Sequence, residues 1–405
     1  MLLISRPVQR LLALAVCLAA APAALAQITV TPRGDAAALD VAAWNIEFFG
    51  EPTEGPNDAL QAERVQAVVE RAGMDLWAFE EVVSTAGFNA LVAAVADDGY
   101  AGVLGPNVSS SPVFNQRLAF IYNTSVIQVV STQAVISGTN FGGRAPFEMI
   151  ANVTLGGVTR QMRFIALHAK ASSDLESYNK RLAGSAQLKT YVDGLLAQGI
   201  PVVVLGDFND ELTTSISGGR PSPYLNFIAD ANYSFATQRL NDQNIGTFCG
   251  NSPTCSTGST IDHILLAGGA EAGYVADSGD RYGELLTGIP QYTQTTSDHL
   301  PVLARFTVAA VADEDGPEGA AVALLPAAPS PFRQATTLRF TLAAAADVSV
   351  EVIDVLGRTV ARLGGAYGPG EHRLMLDGGA MPAGLYRVRL RAGDEVRVQT
   401  VVRAR

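Results

Sequence analysis

Four β-rich runs of this chain begin or stop on acids, amides or histidines. The run 41–46 leads through Asn45 into Glu47, and 161–167 leads into His168. The run 201–205 leads into Asp207 and Asn209, and 261–266 carries Asp262 and His263 at its start. Buried apolar neighbours fix a strand in place, so a polar group at its tip is held rigidly while it faces a cleft. A fold that accepts this chain must gather several such tips at one edge. Further strands are predicted at 118–122, 147–155 and 302–306, with helices at 59–72, 88–96 and 178–196. That alternation is an α/β or α+β pattern.

Acids, amides and histidines at strand tips suit phosphodiester hydrolysis. Hard divalent cations take carboxylate and amide oxygens, keep several waters, and polarise a phosphoryl oxygen. A histidine oriented by a carboxylate acts as acid or base near neutral pH. The net charge of −11 excludes nucleic-acid binding through bulk positive charge. It leaves a nuclease open, because a bound ion supplies positive charge locally.

Six segments, in order, resemble the motifs of the endonuclease/exonuclease/phosphatase superfamily. They are Trp44-Asn45-Ile46-Glu47, the run from Asp75 to Val82, Ala166-Leu167-His168, Leu205-Gly206-Asp207-Phe208-Asn209, Ile261-Asp262-His263 and Ser297-Asp298-His299. The resemblance implies an α/β (α+β) four-layer sandwich, two packed mixed sheets flanked by helices. It implies Glu81 as principal metal ligand, with Asn45, Glu47 and Asp298 around the ion. The cofactor is then a divalent cation, Mg²⁺ first and Mn²⁺ or Ca²⁺ as alternatives. His299, oriented by Asp262, would activate the attacking water. Asp207 and Asn209 would position water or leaving group, and His168 would stabilise or protonate phosphate oxygens.

The chain departs from the pancreatic-type deoxyribonucleases where a glutamate pairs with the third-motif histidine. Gln116 stands there, and a neutral amide orients His168 without raising its pKa. Arg117, Arg144 and Lys170 are candidate phosphate contacts; for Arg117 and Arg144 an ordinary surface ion pair competes on even terms. Glu80 and His263 adjoin motif residues and are expected to point elsewhere, since strand neighbours alternate faces.

Within the superfamily the pattern favours a nuclease. The inositol phosphatases carry tryptophans beside the fourth and fifth motifs, and here Trp44 and Trp77 are the only two. The stretch His168-Ala169-Lys170-Ala171, with Arg181, Gln187 and the segment 246–261, resembles bacterial extracellular nucleases. DNA is the expected substrate, with RNA open. The alternatives are another phosphodiester such as sphingomyelin, or a non-catalytic surface binding protein.

The ends carry addresses. Arg6 and Arg10 precede an apolar run, and Ala24-Leu25-Ala26 offers a cleavage site, so residues 1–26 read as a secretory signal peptide. Cleavage removes Cys17 and leaves Cys249 and Cys255, a close pair expected to form a disulfide. The catalytic domain is expected over 27–308, a linker over 309–323, and a small β-sandwich over 324–405. Pro329-Ser330-Pro331-Phe332, the string Asp354 to Arg358, Gly370-Glu371-His372 and Ala383-Gly384-Leu385-Tyr386 resemble the type IX secretion sorting domain, with Ser330 in place of the family's usual asparagine. The expectation is a monomer with no stable membrane span, exported through that machinery and released or held at the outer cell surface.

Overall fold

Buried residues alternate between the faces of the strands, and that alternation assigns each sheet two apolar surfaces. The structure, a computed structural model, describes residues 27–109, 115–196, 200–250, 252–256, 258–308, 322–328, 332–354, 358–379, 381–393 and 395–404. The expected signal peptide and residues 309–321 of the expected linker lie outside the described residues.

The first sheet contains β1 (Leu39–Phe49), β2 (Leu76–Val82), β3 (Tyr100–Leu104), β4 (Arg117–Asn123), β11 (Asp280–Arg281) and β12 (Val302–Phe306), in the order β11-β12-β1-β2-β4-β3. The second contains β5 (Ile127–Ala134), β6 (Phe147–Leu155), β7 (Val158–His168), β8 (Val202–Asp207), β9 (Tyr233–Phe235) and β10 (Asp262–Ala267), in the order β5-β6-β7-β8-β10-β9. Both are mixed: β1–β2 and β7–β8 run parallel, while β1–β12 and β8–β10 run antiparallel.

One core lies between the sheets, where Val41, Ala43, Ala78 and Phe120 meet Phe164, Ala166, Val203 and Ile264. The outer face of the first sheet packs Trp77 and Phe79 with Val65 and Val68 of helix α1 (Asp58–Ala72) and Phe88 of α2 (Thr85–Ala94). The outer face of the second sets Ile165 and Val204 against Leu188 and Val192 of α3 (Leu175–Leu196). The result is the expected four layers.

Local chemistry moves the helix starts away from the periodic pattern. Ser84 Oγ accepts the Gly87 N–H, so α2 opens at Thr85 and ends at Ala94. Asp174 accepts the Ser177 N–H in the same way and starts α3 three residues before the predicted position. Strands β3, β5, β9 and β11 have no counterpart among the predicted strands. Along β5 only Ile127 is buried, so it offers almost no apolar alternation to read.

The C-terminal part is all β. One sheet holds β13 (Val322–Ala328), β14 (Ala335–Leu342) and β17 (Gly370–Asp377). The other holds β16 (Thr359–Tyr367), β15 (Ala346–Asp354), β18 (Gly384–Ala392) and β19 (Glu395–Arg403). Leu338 and Phe340 share a core with Val350, Val388 and Leu390, while Arg387, Arg389 and Arg391 face outward. The first strand starts at Val322, inside the expected linker. Residues 329–331 and 355–357 of the sorting-like strings lie outside the described residues. Among the described residues no helix is long and apolar enough to cross a membrane.

Candidate active site

Strand register puts three of the tip residues abreast on the second sheet. His168 of β7 is level with Asp207 of β8, and Asp207 is level with Asp262 of β10. The first sheet contributes Asn45 and Glu47 from β1, Glu81 from β2, and the turn 297–299 that leads to β12. These residues meet in a cleft of about 390 Å³ whose lining includes Glu47, Glu81, His168, Asp207, Asn209, Asp298 and His299.

The backbone bends to aim them. Glu47, Phe48, Glu81 and Asn209 all have positive φ, at 41°, 49°, 60° and 52°. Such conformations cost of order 1 kcal/mol or more each for a residue with a side chain, and surrounding contacts must hold them. The pairing of β1 with β2 shifts register between Asn45 and Phe49, which frees Glu47 and Phe48 from the ladder. The Phe48 N–H then donates to Glu81 Oε2 at 3.1 Å. Gly206 is required where it stands. At φ 143° a Cβ there would lie 2.1 Å from the Leu167 carbonyl oxygen and 2.7 Å from Glu80 Oε1.

Two sets of contacts emerge. In the first, Asp262 Oδ2 lies 2.9 Å from His299 Nδ1, and the His299 N–H donates to Ser297 Oγ. The Trp44 indole and the Tyr292 hydroxyl both donate to the His299 carbonyl, so ring and backbone are fixed together. In the second, Asn45 Nδ2 donates to Glu81 Oε1 and to Asp207 Oδ2, each at 3.2 Å. Asp207 also accepts the Asn209 N–H at 2.8 Å, and Glu47 Oε2 accepts the Asp298 N–H at 2.8 Å. His168 Nε2 and His299 Nε2 stand 3.5 and 3.9 Å from the same Asp207 oxygen.

Crowding of carboxylates sets the electrostatics. Burial, then the Asp298 charge, pushes Glu47 up to about 8. Burial and Asp262 push Asp207 up to about 7. Glu81 and Asp298 are raised as well, chiefly by burial. Burial works against a charge on His299, but Asp262, Asp298 and Asp207 outweigh it and hold its pKa well above the usual range. His168 goes the other way. Burial, with the nearby Arg144 and His299 charges, drives it well below. His168 is therefore the neutral histidine and His299 the proton-holding one.

A divalent cation fits this donor set. Glu47, Glu81 and Asp298 bring three carboxylates to one cleft, and burial, with repulsion from neighbouring acids, raises the pKa of each, so a bound cation would offset both costs. Asp207, Asp262 and His299 also place one ligand atom each within 4.8 Å of one another. The hydrogen bond between Asp262 and His299 accounts for much of that closeness.

The sequence profile of the Endonuclease/Exonuclease/phosphatase family matches residues 42–299, a span that includes every residue of the cleft. The chain belongs to that family. Membership of that family supports a hydrolase acting on phosphodiester bonds. A solved endonuclease/exonuclease/phosphatase from Beutenbergia cavernae is similar, with 17% identity, a TM-score of 0.52, and coverage of 90% of this chain and 100% of that one. The human Nocturnin catalytic domain with bound sulfate shares 18% identity over 68% of this chain and 96% of that one, at a TM-score of 0.48. The 3′ phosphatase NExo from Neisseria, bound to a product DNA hairpin, shares 16% over 66% and 99%, also at 0.48. Among curated proteins no match is found.

Two expectations, for Gln116 and Arg117, look different in the structure. Gln116 does not serve His168: its Oε1 accepts Arg144 Nη1 at 2.6 Å, and His168 Nδ1 has no hydrogen-bond partner among the described residues. Arg117 lines no part of the cleft; it is buried and donates to the Val83 carbonyl, because β4 carries it into the sheet. Arg144 and Lys170 do face open space, in an adjoining cleft. Glu80 does not line the cleft, as expected; its side chain lies between the sheets, within reach of the Asp262 and Asp207 charges. It is fully buried, neither carboxylate oxygen has a hydrogen-bond partner among the described residues, and burial raises its pKa well above normal. His263 is structural, bonded to Thr237 Oγ1 and the Asp210 carbonyl.

Arg181 is the residue whose role sequence reasoning missed. It is 1% exposed, its Nε lies 2.8 Å from Asp210 Oδ2, and it donates to the Lys170 and Ser172 carbonyls and to Ser217 Oγ. One guanidinium thus ties together the two loops that carry Ser172 and Ile216 into the cleft wall. Its position on the helix after His168 was visible, but nothing in the sequence pairs it with Asp210. The disulfide between Cys249 and Cys255 is present.

Proposed function

We propose that this enzyme is a secreted, divalent-metal-dependent nuclease that hydrolyses DNA, with RNA as a second substrate. The observation that carries the catalytic half is the buried pair Asp262–His299 facing Asp207, with Glu47, Glu81 and Asp298 on the same cleft. Asp262 orients His299 through Nδ1 and leaves Nε2 to take the proton of an attacking water. His168, neutral at physiological pH, offers a phosphate oxygen a hydrogen bond without transferring a proton. Asn209, held by Asp207, contacts the phosphate or leaving oxygen.

Glu81, with Asn45, Glu47 and Asp298, would hold the ion, Mg²⁺ by the hardness of the donors. Bound there, the ion supplies the positive charge that polarises the phosphoryl group and steadies the leaving oxygen. Arg144 and Lys170 supply phosphate contacts beside His168. The DNA reading is supported by the resemblance of residues 168–187 and 246–261 to extracellular nucleases. Export is supported by the leader over 1–26 and the sorting-like strings of the C-terminal domain.

The test is one panel: purified protein against plasmid DNA, RNA, sphingomyelin and a chromogenic phosphodiester, each with Mg²⁺, Mn²⁺, Ca²⁺ or chelator. Cleavage of DNA that stops with chelator supports the proposal. Cleavage of sphingomyelin alone would move the enzyme to another substrate class.

A further inference from the structure

Phe248 occupies a position for which the catalytic scheme has no use. Its ring lies 4.9 Å from the His299 ring, centroid to centroid, and lines the cleft beside Ile216 and Ile261. The segment that carries the ring is pinned by backbone hydrogen bonds. The Phe248 N–H donates to the Ser259 carbonyl, the Cys249 N–H donates to the Asp298 carbonyl at 2.7 Å, and the Leu300 N–H donates to the Thr247 carbonyl. The Cys249–Cys255 disulfide closes the same loop, with both cysteines buried. A half-buried aromatic this firmly anchored beside a catalytic base is a rigid flat platform, and every nucleobase has a π-face to stack on it.

Beyond His168 the character of the wall changes. A second space of about 470 Å³ is lined by Glu54, Gln116, Gly142, Arg144 and Lys170 and shares Phe48 and Ala171 with the main cleft; its two cations outnumber its one acid. Arg144 binds Gln116 and the Ala169 carbonyl, and its Nε is buried without a partner among the described residues. An apolar ring therefore flanks His299, and cationic groups flank His168. Asp207 Oδ2 is within 4 Å of both histidines.

We infer that the two spaces form one groove through which a polynucleotide strand runs, with one base on Phe248 and a neighbouring phosphate at Arg144 and Lys170. The enzyme then cuts inside a strand and has no need of an end. This inference rests on the nuclease reading above.

The test compares a covalently closed single-stranded DNA circle with the linear strand of the same sequence, in Mg²⁺. The expected result is cutting of the circle at a rate within a few-fold of the linear strand, with long fragments appearing first. A linear strand degraded while the circle stays intact overturns the inference and leaves the nuclease reading standing. Neither substrate cut removes both. For the platform, Phe248→Leu keeps an apolar group over His299 but loses the flat face, and Phe248→Tyr keeps it. The KM for single-stranded DNA is expected to rise about tenfold in the first and stay near its original value in the second. Equal KM values in both variants and the parent exclude stacking on Phe248.

Discussion

His299 Nδ1 sits 2.9 Å from Asp262 Oδ2, and the two residues reach each other from different sheets. Asp262 opens β10 in the second sheet, while His299 precedes β12 in the first. The Asn45–Asp207 hydrogen bond crosses the same divide. The site is assembled only when the two apolar faces between the sheets have packed, so core and catalysis are physically one problem.

The pH dependence follows from that pair. The Asp262, Asp298 and Asp207 charges hold a proton on His299, and a base must lose its proton to act. Activity is expected to rise with pH along an acid limb set by His299. Asp262→Asn removes a negative charge, lowers the His299 pKa, and shifts that limb to lower pH. Loss of orientation also cuts kcat about a hundredfold or more. A profile of kcat/KM against pH for both proteins checks the direction; an unmoved limb rejects the assignment.

Cation binding is expected to expel protons. Glu47 is pushed up to about 8 and Asp207 to about 7, so both carry protons at pH 6 and neither does at pH 9. A divalent ion takes the ionised form, so proton release is large at pH 6 and near zero at pH 9. Titration calorimetry of Mg²⁺ in buffers of different ionisation enthalpy reads the number released. Glu81→Ala is expected to weaken the binding itself.

The buried pair Arg181–Asp210 makes a stability prediction. Arg181→Leu leaves Asp210, fully buried, without its counter-charge. Breaking such a pair costs about 3–5 kcal/mol, which urea unfolding resolves easily. Double replacement of Arg181 and Asp210 by apolar residues is expected to recover part of the loss.

The disulfide prediction separates stability from rate. Closing a loop over a sequence separation of 6 contributes about 2 kcal/mol through the unfolded chain. Cys249→Ser with Cys255→Ser is expected to lower the unfolding free energy by about that much. It is also expected to lower kcat, because the Cys249 N–H holds the Asp298 carbonyl. Thiol labelling of the denatured, unreduced parent finds no free thiol if the bond is formed.

Much of the site was legible because its residues sit at strand tips in a fixed order. Asn45, Glu81, His168, Asp207, Asp262 and His299 announce themselves by chemistry that apolar strands do not otherwise carry. Pairing across the sheets was not legible. Nothing local says that Gln116 will be taken by Arg144, that Arg117 will turn inward to the Val83 carbonyl, or that Arg181 will find Asp210. The same limit applies to the fold. Strands with a buried stripe, such as β6 and β12, were placed to the residue, whereas β5, polar along most of its length, left no periodic trace. Phe248 carries no signal in the sequence; the disulfide and the His299 ring give it a fixed place.

The central claim is that His299 is the base of a metal-dependent DNA hydrolase, and one measurement addresses it most directly. Initial rates of DNA hydrolysis in Mg²⁺ are compared for the parent, His299→Ala and His168→Ala, with circular dichroism confirming that all three are folded. The account predicts a loss of about 10²–10⁴-fold for His299→Ala and a smaller loss for His168→Ala, which remains neutral and transfers no proton. A folded His299→Ala protein that hydrolyses DNA at the parent rate would contradict it.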